Sequence, residues 1–156
     1  MSRRPAVALA LLTVVAVGVA PATAAAKPKH KPIKGSYSVT LIPDPSQDAT
    51  QEAKPGASCA KIVPGSYDDH PFKVPGAGKL TVSLNAPSSE PTTPVGPDWD
   101  LWIFDSSGQL VDASHGPTAQ ESTTDKFKKA MGLVFEVCNL TSGDTKGTVT
   151  YTFTPA

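Results

Sequence analysis

Histidine is scarce in this sequence, with three in 156 residues, and the usual catalytic groupings are missing with it. His30 lies among lysines, which leaves His70 and His115 as candidate bases. Neither belongs to a His-x-x-x-His pair of the zinc-binding kind, and no serine occupies a Gly-x-Ser-x-Gly elbow. Asp69-His70 has the order of an oriented base, but Pro71 follows and no nucleophile is identifiable, so both histidines read as surface residues in loops. Asp98 and Asp100 are two apart on one predicted strand, and such neighbours do not straddle a glycosidic bond at ~5–9 Å. A second long apolar run is also lacking, which excludes a membrane-spanning helix after the start of the chain. No cysteine follows the first apolar run, so a lipid anchor is unsupported. No amphipathic helical pattern and no internal repeat follow it either.

What is present begins with an export signal. Arg3-Arg4 precedes the apolar run Ala6–Ala20, and Ala22-Thr23-Ala24 and Ala24-Ala25-Ala26 offer small-x-small cleavage sites. Residues 1–26 are therefore expected to be a signal peptide, 27–34 a basic flexible arm, and 35–156 the folded domain, soluble and secreted. The whole chain is neutral, with 14 basic and 14 acidic residues. Loss of both arginines leaves twelve lysines against 14 carboxylates, a net −2. Lys27, Lys29, Lys31 and Lys34 sit in the arm, so Gly35 onward carries eight lysines and a net −6. The arm KPKHKPIK reads first as a solvated tail, with electrostatic contact to an anionic cell envelope as the sharper alternative. Without interleaved aromatics it does not read as a nucleic-acid site.

Two cysteines in an exported chain pair by default, so Cys59 and Cys138 are expected to form a disulfide. A nucleophilic cysteine would need a nearby base and a lowered pKa, and the local sequence suggests neither.

From Gly35 the chain reads as short alternating strands separated by Pro- and Gly-rich turns. Expected strands are 35–42, 59–63, 67–74 broken by Pro71, 79–85, 97–104 closed by a turn at Asp105–Gly108, 109–113, an edge strand at 122–128 guarded by lysines, 132–138 and 147–153. Residues 43–58 form a long loop with one helical turn near 47–53, and 86–97 a polar loop with four prolines. Seven to nine such strands over about 120 residues predict an all-β antiparallel sandwich. Its inward set runs from Tyr37, Val39 and Leu41 through Phe72, Leu80, Val82, Leu84, Trp99, Leu101 and Ile103. Leu133, Phe135, Val137, Val149, Tyr151 and Phe153 complete it.

Lys79-Leu80-Thr81-Val82-Ser83-Leu84, then Asp98-Trp99-Asp100-Leu101-Trp102-Ile103-Phe104-Asp105-Ser106-Ser107-Gly108, resembles the bacterial pre-peptidase C-terminal domain. That family's pattern is a Gly-x-Leu-x-Val strand, an Asp-x-Asp-Leu-x-(apolar)-x-Asp-x-x-Gly hairpin and two closing strands. The resemblance covers residues 66 to 154. It implies a jelly-roll-like β-sandwich in an accessory role beside secreted peptidases, and similar domains in secreted collagenases bind collagen and calcium. The chain departs from the pattern in its disulfide, its insertion at 86–97 and the lack of an attached catalytic domain. The resemblance also makes the sequon Asn139-Leu140-Thr141 irrelevant, as in a bacterial chain.

The pleat sends Trp99, Leu101 and Ile103 to one face and Asp98, Asp100, Trp102 and Phe104 to the other. On that outer face Trp102 and Phe104 are the candidate ligand-binding residues, a platform for sugar rings or a polypeptide. The alternative, and the favoured one, is that the disulfide draws residues 59–63 across them, since Cys138 also points outward. Asp98 and Asp100, with Asp68, Asp69 and Glu121 behind them, are oxygen donors of the type calcium takes, although no EF-hand spacing occurs. No cofactor is required, and calcium is the one ion considered. The expectation is thus a secreted, non-enzymatic accessory or binding module for an extracellular polymer, polypeptide or polysaccharide. It takes no nucleic acid and does not insert in membranes. The alternatives are a hydrolase with a loop-built site, and a protease-interacting or inhibitory protein presenting residues 86–97.

Overall fold

A computed structural model of the chain describes residues 30–44, 59, 61–86, 98–140, 143 and 145–156. The expected signal peptide, the helical turn near 47–53 and all but the first residue of the 86–97 loop lie outside them. Eight strands follow in order: β1 Ile33–Thr40, β2 Tyr67–Val74, β3 Gly78–Asn85, β4 Trp99–Asp105, β5 Leu110–Ser114, β6 Gln120–Phe127, β7 Met131–Asn139 and β8 Lys146–Pro155. They form two four-stranded sheets, ordered β1-β8-β3-β6 and β2-β7-β4-β5, with antiparallel pairing throughout. The expected antiparallel β-sandwich is the observed fold.

Alternation builds it. In β3 Leu80, Val82 and Leu84 are buried while Lys79 and Asn85 are exposed, and β8 buries Val149 and Phe153 between threonines on the other face. The inner faces close over one core that includes Trp99, Leu101, Ile103, Phe135 and Phe153. Tyr37, Phe72 and Tyr151, expected inside, pack against it half-buried. The close fit has local consequences: a Cβ on Gly147 would stand 3.1 Å from the Trp99 ring and 3.2 Å from Val39.

Three elements differ from expectation. The described residues of the expected 59–63 strand, Cys59 and 61–63, are not in a strand: Lys61 adopts φ +53°, which interrupts extended backbone. β1 begins at Ile33, two residues inside the predicted arm, because Ile33 and Lys34 pair with Phe153 and Thr152. Pro71 does not break β2, because β2 is an edge strand whose second side has no ladder to lose. The lysine-guarded strand expected at 122–128 is β6, at the other sheet's edge.

The β4–β5 hairpin turns as its sequence dictates. Asp105 Oδ1 accepts the Ser107 N–H at 2.8 Å and the Gln109 N–H at 3.0 Å, and Gly108 takes φ +80°. The Ser107 hydroxyl, first, and then the Gln109 N–H hold the Asp105 carboxyl below its ordinary pKa. Among the described residues no helix is long and apolar enough to cross a membrane.

Candidate functional site

The outer face of the β2-β7-β4-β5 sheet carries the aspartate- and tryptophan-rich strand. Register places Asp100 beside Cys138, Trp102 beside Glu136 and Phe104 beside Val134. On the far side of β7, Tyr67 stands beside Cys138 and Asp69 beside Glu136. Cys138 is bonded to Cys59, which brings Cys59 and Lys61 over the middle of this face. Cys59, Cys138 and Trp102 form a second small apolar cluster, flanked by Tyr67, Phe104, Leu110 and Ala113.

That cover decides the fate of the predicted platform. Trp102 is 2 % exposed, against the disulfide on one side, and its indole stacks on the exposed His115 ring at 5.0 Å and 3°. It offers no open face to a ligand, which corrects its placement among the candidate ligand-binding residues. Phe104, at the edge of the cover, stays half-buried.

Beneath the cover sits a polar network. Glu136 Oε1 accepts the Cys59 N–H at 2.7 Å, and Glu136 Oε2 pairs with Lys61 Nζ at 2.6 Å. Lys61 also pairs with Asp69 at 2.7 Å and lies 5.3 Å from the centre of the Tyr67 ring. Burial pushes the Glu136 carboxyl up, and the bonds from Lys61 and from the Cys59 N–H pull it only part of the way back. Burial alone would lower Lys61, but its hydrogen bonds to Asp69 and Glu136 and their charges outweigh that, so its pKa stands above the usual lysine value. Lys61, Asp69 and Glu136, with Phe104, Asp105, Ser106, Gly108 and Val134, line an open hollow of about 440 Å³. Sequence reading passed over Lys61 and Glu136. Glu136 was legible as the outward residue between Val134 and Cys138, whereas the Lys61 contact exists only because the disulfide folds the segment back.

The candidate calcium donors do not form a group of three or more among the described residues. Asp98 and Asp100 are both buried at the start of β4, and Asp100 is 1 % exposed. Asp68 lies on the half-buried inner side of β2, where burial raises its pKa and His70 partly offsets the rise. Asp69 is engaged by Lys61. Glu121 bridges to β5 by accepting from the Ser114 hydroxyl and, at 3.0 Å, from Thr118. Among the described residues, the grouping with ligand atoms close enough for a metal is Cys59, Glu136 and Cys138, and its two sulfurs are bonded to each other.

Of the two histidines His70 moves, while His115 stays an exposed residue after β5. His70 sits in β2 rather than in a loop and stacks on Tyr37 of β1 at 3.9 Å, joining the two sheets, with Phe135 beyond it. Burial, with the Asp68 charge behind it, holds the Tyr37 hydroxyl far above its ordinary pKa. Asn139 of the sequon is fully buried and donates from Nδ2 to the Leu41 carbonyl at 3.0 Å, so no sugar could be attached to it in the folded chain.

Fold and site together define a disulfide-pinned, two-sheet antiparallel β-sandwich with one outer face covered by its own chain. No protein-family model and no curated protein matches it. Among solved structures, the chain is similar to the pre-peptidase C-terminal domain of a collagenase from Bacillus anthracis. Identity is 12 % and the TM-score 0.43, over 81 % of this chain and 98 % of that one. It is also similar to dimeric latent PorU from Porphyromonas gingivalis, at 11 % identity and a TM-score of 0.39, covering 86 % of this chain but 14 % of that one. The first of these is of the family that the hairpin pattern resembles. The likeness is one of fold, and the neighbours' functions do not transfer with it.

Proposed function

We propose that the chain is a secreted, non-catalytic accessory module that engages an extracellular polymer, polypeptide or polysaccharide, through the hollow beside Phe104. The observation that carries this reading is the hollow's composition. A half-buried aromatic ring is flanked by an ion-paired Lys61, held near the disulfide, by Asp69 of β2 and by the polar turn Asp105–Gly108. An apolar ring beside fixed polar groups suits a partner with both kinds of surface. The disulfide fits an oxidising compartment, in agreement with the export signal. The reading requires no ion; calcium held at Asp98 and Asp100 would show as a melting temperature lowered by EDTA.

The test is co-sedimentation of the purified secreted protein with insoluble gelatin and with insoluble polysaccharide, alongside Phe104→Ser. Retention on one polymer that F104S weakens at unchanged melting temperature supports the proposal. Hydrolysis of either polymer that is lost on His70→Ala or His115→Ala overturns it in favour of an enzyme.

A further inference from the structure

The opposite outer face, that of the β1-β8-β3-β6 sheet, is built differently, and nothing among the described residues covers it. Every outward position of β8 from Thr148 to Thr154 is threonine. On β3 and β6, Thr81 and Thr124 share a hydrogen bond of 2.9 Å across the strands, as do Ser83 and Ser122. β1 adds Ser36, Ser38 and Thr40 in register with β8. The face measures ~27 Å along β8 and ~14 Å across four strands, from the ordinary strand rise and spacing.

Its charges are of one sign. Lys34, Lys79 and Lys126 crowd one end, on β1, β3 and β6, and Lys146 stands at the other end of β8. None of the described carboxylates occupies an outward position of this sheet, and none of the four lysines makes an ion pair among the described residues. This holds in a domain with six more carboxylates than lysines from Gly35 onward. Lys79 and Lys126 are directly opposite each other, an arrangement that costs stability in a sheet. Edge protection accounts for Lys34 and Lys126, but Lys79 and Lys146 lie on the two central strands.

We infer that this face is a docking surface for an anionic polysaccharide. Lysines supply mobile point charges for carboxylate, sulfate or phosphate groups, and rows of hydroxyls meet sugar hydroxyls between them. The outward positions hold no aromatic ring, so stacking of bases has no platform, and no apolar side chain projects to enter a membrane. Lys31 leads into β1 at the lysine-rich end and extends the same potential. The surface lies on the other sheet from the Phe104 hollow, so either can fail without the other.

The test measures binding of the purified secreted protein to polygalacturonate, dextran sulfate, uncharged dextran and phosphatidylglycerol vesicles by calorimetry at two salt concentrations. Binding to both anionic polysaccharides and not to dextran is expected. K79S/K126S should bind about tenfold more weakly, each exposed ion pair being worth up to a factor of a few. Lys73→Ser, a lysine of β2 on the other sheet, should bind as the parent does. The most discriminating variant is K126E, which should raise the melting temperature by pairing with Lys79 while weakening binding, because the face gives up stability for its charge. Equal binding to dextran, equal loss in K73S, tighter binding to the vesicles, or K126E lowering the melting temperature would each overturn the inference.

Discussion

Removing the disulfide should open the outer face of the β2-β7-β4-β5 sheet as well as loosen the chain. Cys59 and Cys138 are 79 residues apart, and closing a loop of that length in the unfolded chain is worth about 4.5 kcal/mol in the chain-entropy account. Domains of this size hold about 5–15 kcal/mol in all, so C59A/C138A approaches the threshold of folding. The double variant also frees the backbone at position 59 and Lys61 from this face. Glu136 then loses the Cys59 N–H and its Lys61 partner, and Trp102 loses the disulfide that packs on it. In urea, with a slope of about 1.5–2 kcal/mol per molar, the midpoint should fall by roughly 2 M or more. Under native conditions tryptophan emission should shift to the red and acrylamide quenching should rise. Both changes should vanish in a Trp102→Phe background, which leaves the inner Trp99 as the reporter. A midpoint shift below roughly 0.5 M, with Trp102 still shielded, would refute the view that the bridge closes this face.

Two further outcomes follow from the electrostatics. Lys61→Met strands the carboxylate of Glu136, which is 2 % exposed; allowing for the partial exposure of Lys61, the loss should be about 2 kcal/mol at pH 8. It should shrink as pH falls and Glu136 takes up a proton, and K61M/E136Q should recover most of it; equal losses at pH 4 and pH 8 would contradict the pairing. Asp125 faces Asp112 between β6 and β5, and burial first, then the Asp112 charge, pushes its carboxyl up to about 6. The unfolded group titrates near ~4. The folded state therefore binds more protons between these values, and the contribution is lost as pH rises from about 4 through about 6. Asp112→Asn should flatten that fall in melting temperature between pH 4.5 and pH 7; a profile unchanged in D112N would refute the coupling.

Alternation of apolar and polar residues determined the sandwich, its core and the β4–β5 hairpin, because a strand with one buried face has only one workable register. Leu80, Val82 and Leu84, or Trp99, Leu101 and Ile103, could be assigned to the core from spacing alone. The disulfide followed from the cysteine count and the expected export, and the outward aim of Cys138 from the same period of two. Tertiary structure decided the rest, because contacts between segments far apart in sequence leave no local trace. A cover drawn over Trp102 by the disulfide was the favoured reading of the sequence, but the stacking of its indole on His115 and the left-handed turn at Lys61 came only from the fold. His70 became a bridge between sheets rather than a loop residue because β1 and β2 face each other across the core. The threonine and lysine face was written in the sequence as four unrelated polar alternations. Strand order alone set them side by side, with every described carboxylate elsewhere.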